Sequence, residues 1–156
     1  MNRITITLPN GKTLETAPGT RAIDFIDALT DAPETVYAVR VNNMICSLNK
    51  SLQTDSIVEP VIAKSKDGAE VYRRTLCFVM EAAMHEIDPN YRLLIGHSLG
   101  YGYYYTLADG NGIHPPLIEK LKVKMAELIS KNLPIETFSL SYQQAMELFE
   151  QEGLTD

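Results

Sequence analysis

Ile4-Thr5-Ile6-Thr7-Leu8-Pro9-Asn10-Gly11-Lys12-Thr13-Leu14-Glu15-Thr16 decides the fold of the first half of the chain. Ile4, Ile6 and Leu8 alternate with polar residues, the period of a half-buried strand. Pro9-Asn10-Gly11 is a turn, because Asn-Gly tolerates positive φ. Thr13 to Thr16 then returns as the second arm of a hairpin. Downstream, Pro18-Gly19-Thr20 breaks the pattern, with Thr20 the expected N-cap. Ile23, Phe25, Ile26 and Leu29 follow at spacings that give a short helix one apolar side. Pro33 ends it. Val36 to Val41 is rich in β-formers, Asn42-Asn43 turns, and Met44-Ile45-Cys46 is a further short strand. Ile57 to Ile62 supplies the last strand, where Pro60 predicts an edge or a bulge. Strand, strand, helix and three strands in about 60 residues form a β-grasp pattern within an α+β chain.

Lys64-Ser65-Lys66-Asp67-Gly68 is polar and turn-rich and reads as a linker. Residues 70–87 read as a helix with Val71, Phe78, Val79, Ala82, Ala83 and Ile87 on one side, stopped by Asp88-Pro89-Asn90. Leu93-Leu94-Ile95 and Tyr101 to Leu107 are strands. Pro115-Pro116 opens a long helix, since proline fits the first turn. Its apolar stripe is Leu117, Leu121, Met125, Leu128 and Ile129. Residues 133–140 are extended. Ser141 to Glu152 is the last helix, with Ser141 and Gln144 spaced as a capping box, and Gly153 ends it.

The 156 residues carry 14 Lys and Arg against 20 Asp and Glu, a formal charge of −6. Residues 1–68 hold seven cations and eight anions, and residues 69–156 hold seven and twelve. This acidic balance weighs against a chain built mainly to grip nucleic acid, which needs concentrated positive charge. No stretch approaches a membrane span, and the N-terminus lacks the apolar core of a signal peptide. Two cysteines cannot build a disulfide framework, so a reducing cytoplasmic setting is expected.

Several motifs resemble chemistry. Gly96-His97-Ser98-Leu99-Gly100 matches the G-x-S-x-G nucleophile elbow, with His97 or His114 as base and Asp109 to orient it. That motif needs a helix after the serine, whereas Tyr101-Gly102-Tyr103-Tyr104-Tyr105 prefers a strand. The expectation is a tight glycine turn between two strands. Gly11-Lys12-Thr13 resembles the end of a phosphate loop, but Ile6 stands where its first glycine belongs. His85, His97, His114, Cys46 and Cys77 are too scattered for a metal site. Lys120, Lys122, Lys124 and Lys131 share a helix with Glu119 and Glu127 and read as a solvated face. In the tyrosine strand, 101, 103 and 105 face one way and 104 the other. One face packs; the other is a candidate stacking platform for a base.

Residues 1–63 resemble a TGS domain, a ubiquitin-like β-grasp, through Ile4 to Lys12, Pro18-Gly19-Thr20 and Tyr37 to Asn42. Ser65 to Thr75 resembles the junction into the threonyl-tRNA synthetase editing domain. Tyr91 to Gly96 with Gly102 to Tyr105 resembles that domain's strand pair. The resemblance divides the chain into a TGS domain at 1–63, a linker at 64–72 and a truncated editing-like α+β domain at 73–156. In the editing family, an H-x-x-x-H motif on the first helix supports hydrolysis of mischarged tRNA. Here the two positions are Arg74 and Phe78, neither able to act as a neutral imidazole. The resemblance therefore implies no catalytic residue and no metal. The family's later Cys and His partners are expected beyond Asp156.

The run His97-Ser98-Leu99-Gly100-Tyr101-Gly102-Tyr103-Tyr104 also resembles the N-terminal region of bacterial uridine kinase-like proteins. That likeness implies a regulatory or ligand-binding region of a longer protein, whose attached kinase domain would bring ATP and magnesium. Arg73, Arg74, His97, Ser98, Tyr101 and Tyr103 are the expected ligand-binding residues, toward RNA or a small nucleotide or amino acid. The alternatives are a relic aminoacyl-tRNA or ester hydrolase using Ser98 with His97 or His114, and a tRNA-like RNA binder using Arg73, Arg74, Lys120, Lys124 and the tyrosine strand.

Overall fold

The computed structural model describes residues 3–100, 102–136 and 138–153, and only the backbone of Glu34. Strands β1 (Ile4–Thr7) and β2 (Thr13–Thr16) form the expected hairpin, with Gly11 at φ +78° in its turn. A 3-10 turn (Ala22–Phe25) leads into the one-turn helix α1 (Ile26–Leu29), and a second (Pro33–Thr35) leads into the strand that starts at Val36. Arg21, not Thr20, caps the first turn: its backbone N–H bonds the Asp24 carboxylate at 3.0 Å. The Thr20 hydroxyl is engaged instead by Ala17 O and Thr16 Oγ1.

Strands β3 (Val36–Val41), β4 (Met44–Cys46) and β5 (Ser56–Ile62) complete a mixed five-stranded sheet in the order β2-β1-β5-β3-β4. Asn42 and Asn43 turn between β3 and β4 with φ of 46° and 71°, the left-handed region that Asn tolerates. The Asn42 side-chain oxygen also accepts the Ile57 N–H at 2.8 Å. Strand β5 is central rather than an edge. Proline is tolerated because β1 pairs only with Ser56 and Ile57, in parallel, so Pro60 has just β3 beside it, opposite Val39. Ile4, Ile6, Leu8, Ala22, Leu29, Val39, Leu52 and Val58 form the core of this lobe. Ile6, Val39 and Val58 are fully covered, each stabilising by roughly 1.5–3 kcal/mol.

Helix α2 spans Lys66–Ile87 and so begins four residues before the apolar periodicity predicts. Ser65 caps it, its hydroxyl accepting the Gly68 N–H at 3.0 Å. Residues 66–72 are therefore helical. The first turn sits hard on the end of β5: a Cβ at Gly68 would lie 2.0 Å from Ile62 O. Two further contacts join this turn to the sheet. Arg40 of β3 pairs with Asp67 and, at 3.5 Å, with Glu59, and the Tyr37 and Tyr72 rings stack at 5.9 Å.

The second lobe packs α2 against the hairpin β6 (Leu93–Leu99) and β7 (Gly102–Leu107) and helix α3 (Pro115–Ser130). Its core is Ala83, Met84, Leu93, Leu107, Leu117 and Leu121. Strand β6 runs on through residues 96–99, where a turn was expected. The pairing shifts register between Ile95 and Ser98, a bulge of the kind that strand glycines mark. Gly96 admits Tyr104 O to 3.2 Å of where its Cβ would be. Phe78, expected on the packed side of α2, is 59% exposed. Residues 133–136 and 138–140, expected to be extended, form neither helix nor strand and lead to α4 (Tyr142–Gln151). Its Ser141–Gln144 capping box is formed, yet no residue of α4 is buried. No helix among the described residues is long and apolar enough to cross a membrane.

Candidate functional site

Arg74, Cys77, Phe78 and Glu81 stand at offsets of three, four and seven residues, which stacks them along one face of α2. The β6–β7 hairpin presents Leu93, Ile95 and Tyr103 opposite. Together these seven residues line an open, mostly apolar cleft of about 500 Å³. At one end the Arg74 guanidinium pairs with Glu70 at 2.7 Å and keeps three-quarters of its surface in solvent. On the floor, Cys77 Sγ lies 3.1 Å from Tyr105 Oη. Burial, reinforced by that contact with Cys77, pushes the Tyr105 phenol up to about 12. It stays protonated at neutral pH, and as the stronger donor it gives its hydrogen to the sulfur. At the other end, burial pushes the Glu81 carboxyl up, against the opposing effect of a hydrogen bond from the Leu93 backbone N–H. The cleft thus offers a guanidinium edge, an apolar floor and a thiol already engaged by a phenol. Among the described residues, no group of three or more His, Cys, Asp and Glu is placed to hold a metal ion.

The chain is similar to part of the threonine–tRNA ligases. It is 28% identical to that of Clostridium kluyveri over 151 residues, 96% of this chain but 24% of the relative. It is 27% identical to the Clostridium tetani ligase over 146 residues, 93% of this chain and 23% of the relative. It is 29% identical to the Pelobacter propionicus ligase over 150 residues, 96% and 24% respectively. The similarity falls on the N-terminal region of those proteins, the TGS and editing-like region. The chain spans about a quarter of the length of the curated relatives it matches. No protein-family model matches the chain.

Arg74 and Phe78, the two positions at which the sequence resemblance led one to expect histidines, lie one turn apart in a single cleft with Tyr103. The other expected ligand residues are elsewhere. Arg73 is half-buried about 100° around the helix from Arg74. His97 lies outside the cleft, its ring stacked on Tyr104 at 5.8 Å. Ser98 is exposed in β6 opposite Tyr103. Tyr101 lies outside the described residues. No nucleophile elbow forms, because a second strand and not a helix follows Ser98. Among the described residues no hydrogen bond joins Ser98 to His97 or His114, and His114 sits at the N-cap of α3. The tyrosine strand divides as its period predicts: Tyr103 and Tyr105 turn toward α2, while Tyr104 is half exposed. Of the lysines on α3, Lys122 pairs with Glu119, and Lys124 with Glu127 and Glu86.

Glu81 was not singled out from the sequence, while Cys77 was considered only as a scattered metal ligand and Tyr105, which contacts Cys77, only as part of the tyrosine strand. The signal was present in the spacing 74-77-78-81, a helical stripe of mixed polar and apolar residues.

Proposed function

We propose that this chain is a non-catalytic, ligand-sensing region that precedes a uridine kinase-type domain in a longer protein. One observation carries the reading. The helix face that bears two histidines in the editing family here bears Arg74 and Phe78, in a cleft whose thiol is held by a phenol. A guanidinium cannot give up its proton near neutral pH, and a phenyl ring has none to exchange. The cleft can therefore hold a ligand but not activate water as that motif does. Its apolar floor and Arg74 edge suit a small molecule with a flat or aliphatic body and an anionic group, as in an amino acid or a nucleotide. The kinase parent rests on the His97-to-Tyr104 run, and ATP with magnesium would belong to that further domain.

The test has two arms. Incubation with mischarged tRNA is expected to release no more amino acid than buffer alone. Titration with amino acids and nucleoside monophosphates is expected to give binding that Arg74→Ala weakens. Release of amino acid that Ser98→Ala abolishes would replace this reading with the hydrolase. Binding unaffected by Arg74→Ala would remove the cleft as the site.

A further inference from the structure

Helix α3 ends in a left-handed turn. Asn132 has a φ of 46°, which Asn tolerates, and Pro134 keeps the chain from resuming the helix. The residues that follow close a third side of a hollow between α2 and α3, of about 390 Å³. Its apolar walls include Phe78 and Val79 of α2, Leu128 and Ile129 of α3, and Leu133 and Ile135 beyond it. Phe78, Ile129, Leu133 and Ile135 are each more than half exposed. Water therefore wets apolar surface on all three sides, and a ligand that covers this surface gains by displacing the water. A cavity of about 150 Å³ takes one benzene ring, so this one has room for a ring with a short chain.

We propose that this hollow binds a small amine with an apolar body and no acid group. Charge selects the amine. The only charged residue lining the hollow is Glu136. Among the described residues its carboxylate enters no ion pair. Arg74, on the same helix as Phe78, is held by Glu70 and does not line the hollow, nor does Lys131. A primary amine is protonated at neutral pH, as lysine is, and can donate to the Glu136 carboxylate while its carbon body lies on the apolar walls. Asn132 adds an amide able to accept a second hydrogen. A carboxylate or phosphate on the ligand would face Glu136 with no lining cation to receive it, which turns away amino acids and nucleotides. The hollow is thereby set apart from the Arg74 cleft, with which it shares only Phe78. Apolar walls with a few polar groups, in a volume within about 300–1,000 Å³, are the make-up of a small-molecule site.

Titration of the full chain with phenethylamine, followed by methyl NMR, tests this. The methyls of Leu128, Ile129, Leu133 and Ile135 are expected to shift and saturate together, with a Kd of about 0.1–1 mM, in keeping with so small a ligand. Phenethyl alcohol, of the same shape without the charge, should bind about 5-fold more weakly, and phenylacetate more weakly still. Glu136→Gln, at an exposed position, should cost the amine about 5-fold and leave the alcohol unchanged, so that the preference disappears. Ile129→Ser, also exposed, should weaken amine and alcohol alike by about threefold without changing the far-UV spectrum. No saturable shift up to about 10 mM amine overturns the proposal. So does a Glu136→Gln protein that still prefers the amine, or an Ile129→Ser protein that binds it as tightly as the parent. Shifts centred on Leu93 and Ile95 would put the amine in the Arg74 cleft and overturn it as well.

Discussion

Replacing Gly68 with alanine sets two large effects against each other. In an open helix, alanine in place of glycine stabilises by about 1 kcal/mol. Here the new methyl would lie 2.0 Å from Ile62 O and 2.7 Å from Ile62 C, with Ser65 Oγ at 3.1 Å. Ordinary carbon contacts begin near about 3.5 Å, so helix and strand must part by more than an ångström. The obstacle is backbone and cannot rotate away. Overpacking of this kind costs roughly 1–3 kcal/mol. The shift also pulls Gly68 N–H from its 3.0 Å bond to the Ser65 cap, which is worth about 1 kcal/mol. Subtracting the helix gain leaves a loss of about 1–3 kcal/mol, or a fall in Tm of roughly 2–12 °C for a chain of this size. Urea and thermal unfolding followed by tyrosine fluorescence read it, since the chain has eight tyrosines and no tryptophan. Ala69→Gly, one residue on, is the control and should lose only the propensity of about 1 kcal/mol. A Gly68→Ala protein as stable as the parent, or more stable, would refute the close packing of α2 on β5.

Two further outcomes follow from the fold. Asn42→Ala loses the acceptor for the Ile57 N–H and puts alanine at φ 46°, so it should destabilise by about 2 kcal/mol in urea unfolding, while Asn42→Asp keeps most of the stability; equal loss for both would contradict the role of the side-chain oxygen. For Glu81, burial raises the folded carboxyl above its ordinary value. Its contribution is then full below the ordinary carboxylate range and is lost as pH rises through the raised folded value. Glu81→Gln should accordingly gain in Tm over the parent as pH rises from 4 toward 7 (about those values, spanning the ordinary carboxylate range), and a constant or shrinking gap would count against it.

The first lobe was legible because its signals are local. Ile4, Ile6 and Leu8 alternate in sequence and are buried in the fold, and Asn42-Asn43 turns where two such residues permit it. Pro60 announced an edge or a bulge: β5 is central in the sheet, yet it is flanked on one side only at the proline, and the β3–β5 pairing shifts register between Val36 and Ala38, opposite Ile62 and Val61. Lys66-Asp67-Gly68 reads as a turn from composition, but a single hydroxyl, Ser65, converts it into a helix start. Gly96 and Gly100 suggested one loop, whereas Gly96 is a strand position into which a neighbouring carbonyl fits. In the cleft, Arg74 and Tyr103 were named from sequence, but His97 and Ser98 were not brought to them. The bulge between Ile95 and Ser98 decides which way those side chains face, and no periodicity announces a bulge.

The position of β5 bears on how the molecule is made. The sheet's last strand in sequence is the one that joins its two hairpins, β1–β2 and β3–β4. A nascent chain leaving the ribosome can form each hairpin early, but neither has a wall to close against until residue 62 has emerged. Because Ser65 and Gly68 follow at once, the start of the second lobe is seated by the same event that seals the first. Translation pausing within the next few codons would therefore hold a nearly complete sheet with an unfinished seam, and that interval is when the growing chain is most open to mispairing.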